Sequence, residues 1–293
     1  LESTRRGLPR DAERLMLRID AHQHFWQYDP VRDAWINDGM AVLRQDFLPA
    51  DLGPLLAANG IDGCVAVQAD QSERETRFLL DLARDYPFIR GVVGWVDLRS
   101  PQVGERLAHF ADDRHFRGVR HLVQGEPDDE FLLQPDVVRG IGALTPLGLT
   151  YALLLVPRQL RAATQLAAML PDQRFVLDHI AKPPIKEGVL EPWASDLGAL
   201  ALHPKVYCKL SGLITEAEWG AWKPAQLRQY LDVVVESFGV DRLMWGSDWP
   251  VCLLAGSYHE VREVIAEYLV RFSVDERSAI FGGNAATCYG LEG

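Results

Sequence analysis

Cysteine is scarce and unpaired. The chain of 293 residues has four, at positions 64, 208, 252 and 288, and no Cys-x-x-Cys among them. That excludes a disulfide framework and a cysteine zinc clasp, and suggests scattered small apolar residues of a reducing, cytoplasmic compartment. Long apolar runs are missing as well. The longest, "LTYALLLV" at 149–156, has the length of a strand, not the roughly eighteen or more residues of a membrane span. Basic residues are outnumbered, 30 against 41 acidic, for a net charge of -11. An acidic chain without basic clusters is a poor partner for phosphate backbones and anionic membranes, so neither a nucleic acid nor a membrane is expected as a partner. No glycine-rich phosphate turn follows the first apolar run, which counts against a doubly wound nucleotide-binding sheet.

Internal repeats, low-complexity tracts and linkers are absent too, so one domain is expected. The opening "LESTRRGLPRDAERL" lacks the apolar segment of a signal peptide. Met16, directly before "LRIDAHQHF", reads as the natural start. Residues 1–15 read as a poorly ordered upstream extension or cloning remnant, and residues 16–293 as the domain.

What is present alternates. Eight apolar segments carry β-branched residues: "LRIDAH" (17–22), "GCVAVQA" (63–69), "IRGVVGWV" (89–96), "FRGVRHLV" (116–123), "LTYALLLV" (149–156), "RFVLDHI" (174–180), "VYCKLSG" (206–212) and "RLMWGSD" (242–248). They are nearly continuous in apolar character, as strands buried on both faces are. Between them lie helix patterns with apolar residues at 3.6-residue spacing, such as "PADLGPLLAANG", "ERETRFLLDLARDYP", "RQLRAATQLAAML" and "PAQLRQYLDVVVESFG". "SYHEVREVIAEYLVRF" supplies a closing helix. "SVDERSAIF" then opens with Ser273 and has Glu276 three residues on, a capping box. Eight strand–helix alternations in one undivided chain predict a single closed α/β barrel of the (β/α)8 (TIM) type.

Such a barrel gathers its functional groups at the C-terminal ends of its strands. The first strand ends in His22 and His24, which alternation places on one face with Gln23 on the other. Arg120 and His121 stand on the fourth, Asp178 and His179 on the sixth with Lys182 beyond, Lys209 and Ser211 on the seventh, and Asp248 on the eighth. Each has an ordinary structural explanation alone: a hydrogen-bonded histidine, or an aspartate capping a helix. Jointly, His22, His24, His179 and Asp248 would converge at one mouth, as a metal site or a polar catalytic pocket. Trp26 and Trp249 are placed to wall that pocket, where an aromatic face suits the C–H face of a sugar ring. Trp245, three residues before Asp248, should face outward into the helices.

The segments "IDAHQHFW", "GVRHL", "FVLDHIAKPP", "KLSGL", "RLMWGSDWPV" and "GGNAATCYGL" resemble the amidohydrolase superfamily, in particular its branch of sugar lactonases, over about Leu17 to Leu291. The resemblance implies an amidohydrolase-type barrel with an aspartate on the last strand that activates the hydrolytic water. Here that is Asp248. His22 and His24 match the first-strand pair and His179 the later histidine. The substrate implied is a small sugar lactone. From their placement beside these groups, Trp26 and Trp249 are expected to wall the site and Arg120, His121 and Lys182 to reach substrate oxygens. Metal-dependent members add a histidine on the fifth strand, and "LTYALLLVP" has none. One divalent ion, zinc, held by His22, His24, His179 and Asp248, is therefore expected to bind weakly and to be dispensable. The chain is expected to be a monomer or small homo-oligomer. Two other readings stay open: a metal-dependent non-oxidative decarboxylase, against which the missing fifth-strand histidine counts, and a non-catalytic sugar-acid-binding barrel.

Overall fold

The computed structural model describes residues 17–291. The expected extension at 1–15 and start at Met16 lie outside the described residues. Eight parallel strands run in sequence order around one sheet: β1 (Ile19–Gln23), β2 (Gly63–Val67), β3 (Ile89–Gly94), β4 (Phe116–His121), β5 (Thr150–Leu153), β6 (Phe175–Leu177), β7 (Val206–Leu210) and β8 (Leu243–Trp245). Each falls inside its predicted segment except β1, which runs one residue further, to Gln23. The outer layer consists of α1 (Pro49–Ala58), α2 (Glu73–Asp85), α3 (Val103–Ala111), α4 (Pro135–Gly142), α5 (Leu160–Met169), α6 (Trp193–Ala201), α7 (Pro224–Phe238) and α8 (Tyr258–Leu269). Two shorter helices follow, α9 (Val274–Ser278), started by the Ser273–Glu276 capping box, and α10 (Asn284–Tyr289). The sequence patterns miss α3, α4, α6 and α10. These have only six to nine residues, too few turns to fill the window over which a period is read.

The seam between β1 and β8 closes the barrel. The amide of Asp248 donates to His22 O at 2.8 Å, and that of His24 donates to Trp249 O at 2.7 Å. Asp20 reinforces the seam from outside the barrel. Its carboxylate accepts from the Ser247 amide (2.8 Å), the Ser247 hydroxyl (2.6 Å) and the Tyr258 hydroxyl of α8 (3.0 Å). Burial pushes the Asp20 carboxyl up to about 6, with these donors opposing the shift.

Small aliphatic side chains fill the interior, among them Ile19, Ala21, Val65, Val67, Val93, Ala152, Val176 and Met244. Cys288, Tyr289 and Leu291 join this cluster, and Arg174, just before β6, donates to Cys288 O at 2.8 Å. The C-terminal helix thus closes the bottom of the barrel, and the top is left for polar groups. No helix among the described residues is long and apolar enough to cross a membrane.

Trp245 faces outward as expected. It is fully buried between Tyr258 of α8 and Phe281, with ring centroids 5.8 and 5.6 Å away. Its indole nitrogen has no hydrogen-bond partner among the described residues. Trp245→Ala should therefore cost about 3–5 kcal/mol in urea denaturation. Trp245→Phe, which keeps most of the ring and removes the unpartnered N–H, should cost less than half of that.

Candidate active site

Three backbone irregularities aim the functional side chains. The first is a bulge in β1. Asp20 pairs with Cys64 and Gln23 with Ala66, so three steps on β1 meet two on β2. Ile19 and Ala21 face the interior, and strict alternation would put His22 outside. The extra residue resets the phase, so His22 and His24 face inward and Gln23 turns to Cys64 in the outer layer. The second is a left-handed turn after β6. His179, Ile180, Ala181 and Lys182 have φ of 52°, 47°, 60° and 49°. Left-handed non-glycine residues cost about 1–2 kcal/mol each. Here Ile180 and Ala181 are fully buried, and Ile180 O accepts from the Trp193 indole at 2.8 Å. The third is Asp248 itself, with φ of 57° just past β8.

These devices bring the four expected residues together. Asp248 Oδ1 lies 3.4 Å from His24 Nε2, 3.7 Å from His22 Nε2 and 3.8 Å from His179 Nε2. The far side of each outer ring is held. His24 Nδ1 donates to Val67 O at 2.7 Å, and His179 Nδ1 shares a 2.9 Å hydrogen bond with the Ser211 hydroxyl. Burial pushes His179 down to about 4 despite the neighbouring carboxylates, and holds His22 well below its ordinary value with Lys209 adding to the effect. Burial alone would raise Asp248, but the imidazoles around it, His179 first, outweigh that and keep it well below the usual carboxylate range. At neutral pH the cluster is one carboxylate among neutral His22 and His179 rings.

Beneath it lies a layer of charge in which Lys209 and Asp178 had no role in the sequence reading and Arg120 had one only as a substrate contact. Lys209 and Asp178 are fully buried, with Nζ 3.0 Å from Oδ1. Lys209 Nζ is also 3.2 Å from His22 Nδ1. Arg120 Nη1 pairs with Asp178 Oδ2 at 3.2 Å, and Nη2 bonds the Gln68 carbonyl and side-chain oxygens. Burial would lower Lys209 and raise Asp178, but their mutual attraction opposes both, and Asp178 stays well below the usual carboxylate range. A signal for this pair exists in the sequence. A lysine and an aspartate inside apolar strands on the barrel side can be accommodated only as partners.

The mouth opens into a cavity of about 290 Å³ lined by His24, Arg120, His179, Lys182 and Asp248, with Trp26, Trp35, Leu122, Leu154 and Val251 as its apolar walls. Of the expected pocket residues, Trp26, Arg120 and Lys182 line it, and Lys182 Nζ lies 3.5 Å from Glu216. Two lie elsewhere, which corrects their expected placement. Trp249 is 2% exposed and packs edge-on against Phe25 and Phe47 in the core. His121 stacks on Phe131 and donates from Nε2 to Glu126 at 2.7 Å. Its ring follows the outward phase of β4, opposite to Arg120. Trp35, unassigned from sequence, stands across from Trp26 with ring centroids 6.3 Å apart.

His22, His24 and Asp248 offer ligand atoms within 4.8 Å of one another, as do His22, Asp178 and His179. Neutral imidazole nitrogens with a carboxylate are a zinc-type donor set, so the residues fit a divalent ion. Against tight binding, Arg120 places a cation 3.3 Å from His22 Nε2, one of the donor atoms.

Closed barrel and polar mouth together define a (β/α)8 barrel with a histidine–carboxylate centre at its C-terminal face. The chain belongs to the amidohydrolase family, whose sequence pattern matches residues 19–291. It is 44% identical over 286 residues to an L-fucono-1,5-lactonase of Burkholderia multivorans, covering 94% of this chain and 96% of that one. It is 41% identical over 284 residues to an L-fucono-1,5-lactonase of Burkholderia ambifaria, covering 95% and 97%. A solved amidohydrolase from Burkholderia multivorans with bound zinc superposes with a TM-score of 0.91 at 44% identity, covering 94% of this chain and all of that one.

Gly246 is the position at which the site depends most directly on the absence of a side chain. A Cβ there would stand 2.6 Å from His22 Cβ and 3.0 Å from His22 N. Gly246→Ala should displace His22, lower stability by about 1–3 kcal/mol and depress turnover, with thermal denaturation and steady-state kinetics as the two readouts. Unchanged kinetics would show that the His22 position tolerates displacement.

Proposed function

We propose that this protein hydrolyses a sugar lactone, L-fucono-1,5-lactone or a close aldonolactone, to the open sugar acid. The observation that carries the proposal is a carboxylate within 3.8 Å of three imidazole nitrogens at the end of a cavity with two tryptophan walls. Likeness over nearly the whole chain to two lactonases supports it. A cavity of this size is at the small end of ligand sites, about 300–1,000 Å³, and suits a single sugar ring. Trp26 and Trp35 would take the apolar face of the ring, while Lys182 and Arg120 would reach its oxygens.

The ionised Asp248 takes a proton from a water as the water oxygen attacks the lactone carbonyl. Negative charge then develops on the carbonyl oxygen. Arg120 and an imidazole N–H turned to the mouth are the donors for it, preorganised because their other contacts are fixed. On collapse the ring C–O bond breaks, and Asp248 returns its proton to the alkoxide that leaves. The products are one carboxylate and one hydroxyl, and the carboxylic acid releases its proton to solvent. A zinc ion held by His22, His24, His179 and Asp248 would supply Lewis-acid polarisation of the carbonyl when bound. We propose that it is weakly held and dispensable. Leu154, not a histidine, faces the cavity from the end of β5, and Arg120 already puts positive charge beside His22.

With L-fucono-1,5-lactone and a pH-indicator assay, Asp248→Asn should lower kcat about a hundred-fold or more. Near-parental turnover would overturn the assignment of the base. Exhaustive chelation, with metal content measured on the same sample, should leave the activity in place. Full loss restored by zinc would make the metal essential.

The pH profile supplies a separate check. His179 in the folded protein titrates at about 4, against 6.5 for a solvated imidazole, and must be neutral for the cluster to work. Activity should thus persist as the pH falls through 6.5 and decline near 4. An acidic limb of kcat/KM near 6.5 would contradict the buried, neutral state of His179.

A further inference from the structure

We propose that the N-terminal face of the barrel carries a second site, a pocket of arginines that binds a phosphate group, as the free ion or as the monoester of a small metabolite. No run of basic residues marks it in the sequence, and the fold assembles it from separate places. Arg84 stands in the last turn of α2, Arg90 and Arg117 are the second residues of β3 and β4, and Arg114 and His115 lead into β4. Together they line a cavity of about 180 Å³ whose remaining walls are apolar, and no carboxylate is among its lining residues. The pocket lies at the opposite end of the strands from the cavity of His24 and Asp248, so its evidence is independent of the lactone-hydrolysis reading.

Arg90 is the residue that asks for a ligand. Other arginines on this face are spent on the fold. Arg174 donates to Cys288 O at 2.8 Å and Gly148 O at 2.6 Å, and Arg242 donates to Ala201 O, His203 O and Val206 O at 2.9–3.2 Å. The Arg90 guanidinium makes no hydrogen bond and no ion pair among the described residues, and its Nε is buried. A buried donor left without an acceptor is costly, so the fold bears a charge that nothing in it uses. The backbone is also shaped to hold these side chains. A Cβ on Gly63 of β2 would stand 2.7 Å from Arg90 Cγ and 3.2 Å from its Nε, and one on Gly91 of β3 would stand 3.0 Å from Arg117 Cγ. Each arginine stem thus lies across the preceding strand where that strand has no side chain.

The carboxylates nearby serve other members of the cluster. Asp113 accepts from Arg84 Nη2 at 2.7 Å and pairs with His115 Nδ1 at 3.1 Å, and Asp81 accepts from Arg84 Nη1 at 2.6 Å. They hold Arg84 and His115 in place and leave Arg90 uncompensated. A guanidinium fork matches two oxygens of a carboxylate or a phosphate. Forks arriving from different elements offer more donors than one carboxylate can accept, whereas a tetrahedral phosphate turns oxygens in several directions. The cavity has the room of about six waters, enough for a phosphate with a short substituent, and is smaller than the about 300–1,000 Å³ of larger ligand sites.

The test is calorimetric titration of the chelator-treated protein with inorganic phosphate at constant ionic strength, which holds charge screening fixed. The expected result is one site with a Kd below about 10 mM, weakened about tenfold or more in Arg90→Gln and less in Arg90→Lys, which keeps the charge without the fork. Arg90 has no protein partner to lose, so Arg90→Gln should fold, with circular dichroism as the check. Lys182→Met, at the mouth, should leave phosphate binding unchanged. Acetate, the carboxylate probe, should bind about tenfold more weakly or worse. Glycerol 3-phosphate separates the two sources: tighter binding than inorganic phosphate marks a monoester ligand, and equal or weaker binding marks the free ion. A Kd above about 10 mM, binding that survives Arg90→Gln or is lost in Lys182→Met, or acetate bound as tightly as phosphate overturns the proposal.

Discussion

The Lys209–Asp178 contact is the constraint on which the site is built. Two opposite charges, both without solvent exposure, lie 3.0 Å apart in a barrel otherwise filled by aliphatic side chains. Desolvating either alone costs several kcal/mol, so neither is tolerated without the other and without further hydrogen bonds. Those further bonds build the floor of the mouth. Asp178 takes Arg120, which takes the Gln68 carbonyl, and Lys209 takes His22. Side chains from β1, β4, β6 and β7 and the end of β2 are thereby fixed to one another. Replacing the pair by aliphatic residues would give a more conventional interior and remove the contacts of His22 Nδ1 to Lys209 and Asp178.

Above this floor the backbone departs from regular geometry wherever a reacting group must be aimed. The bulge in β1 turns His22 inward, the left-handed turn after β6 carries His179 and Lys182, and the seam between β1 and β8 carries Asp248. Two glycines complete the arrangement by leaving room. A Cβ on Gly246 would meet His22, and one on Gly212 would come within 2.7 Å of His179 Nδ1. The strain is local, and the surrounding parallel ladder, with every strand paired to its sequence neighbour, absorbs it.

These same departures mark where the sequence stops being legible. All eight strands can be read from runs such as "GCVAVQA" and "VYCKLSG", because burial on both faces leaves a composition signal. His22, His24, His179 and Asp248 can be read as one site because barrel topology alone collects strand ends. Trp249 and His121 cannot be placed from strand-end position, because side-chain direction depends on phase. One lies past the seam in the core, and the other turns outward beside Arg120. The bulge hides for the same reason, since "IDAHQ" reads equally well as an unbroken alternation. Helices α3, α4, α6 and α10 are too short to show a period. Lys209 and Asp178 stand in the sequence in plain view, yet their pairing across two strands is a fact of register that no local pattern contains.

The same four donor residues can serve a metal or a metal-free reaction, and the protons and charges around them decide which. Imidazoles whose far nitrogens donate to a carbonyl and meet a serine hydroxyl turn lone pairs toward the centre, as His24 does. That half of the site is suited to a cation. Arg120 and Lys209 supply the opposite bias, placing positive charge within 3.3 Å of the two nitrogens of His22. A cation entering between Asp248 and these rings gains one carboxylate and meets these two positive charges, each of them paired with Asp178. An oxyanion entering the same space meets the reverse balance. On the metal-free reading proposed above, the same charges would serve a negative charge that appears for the lifetime of a tetrahedral intermediate.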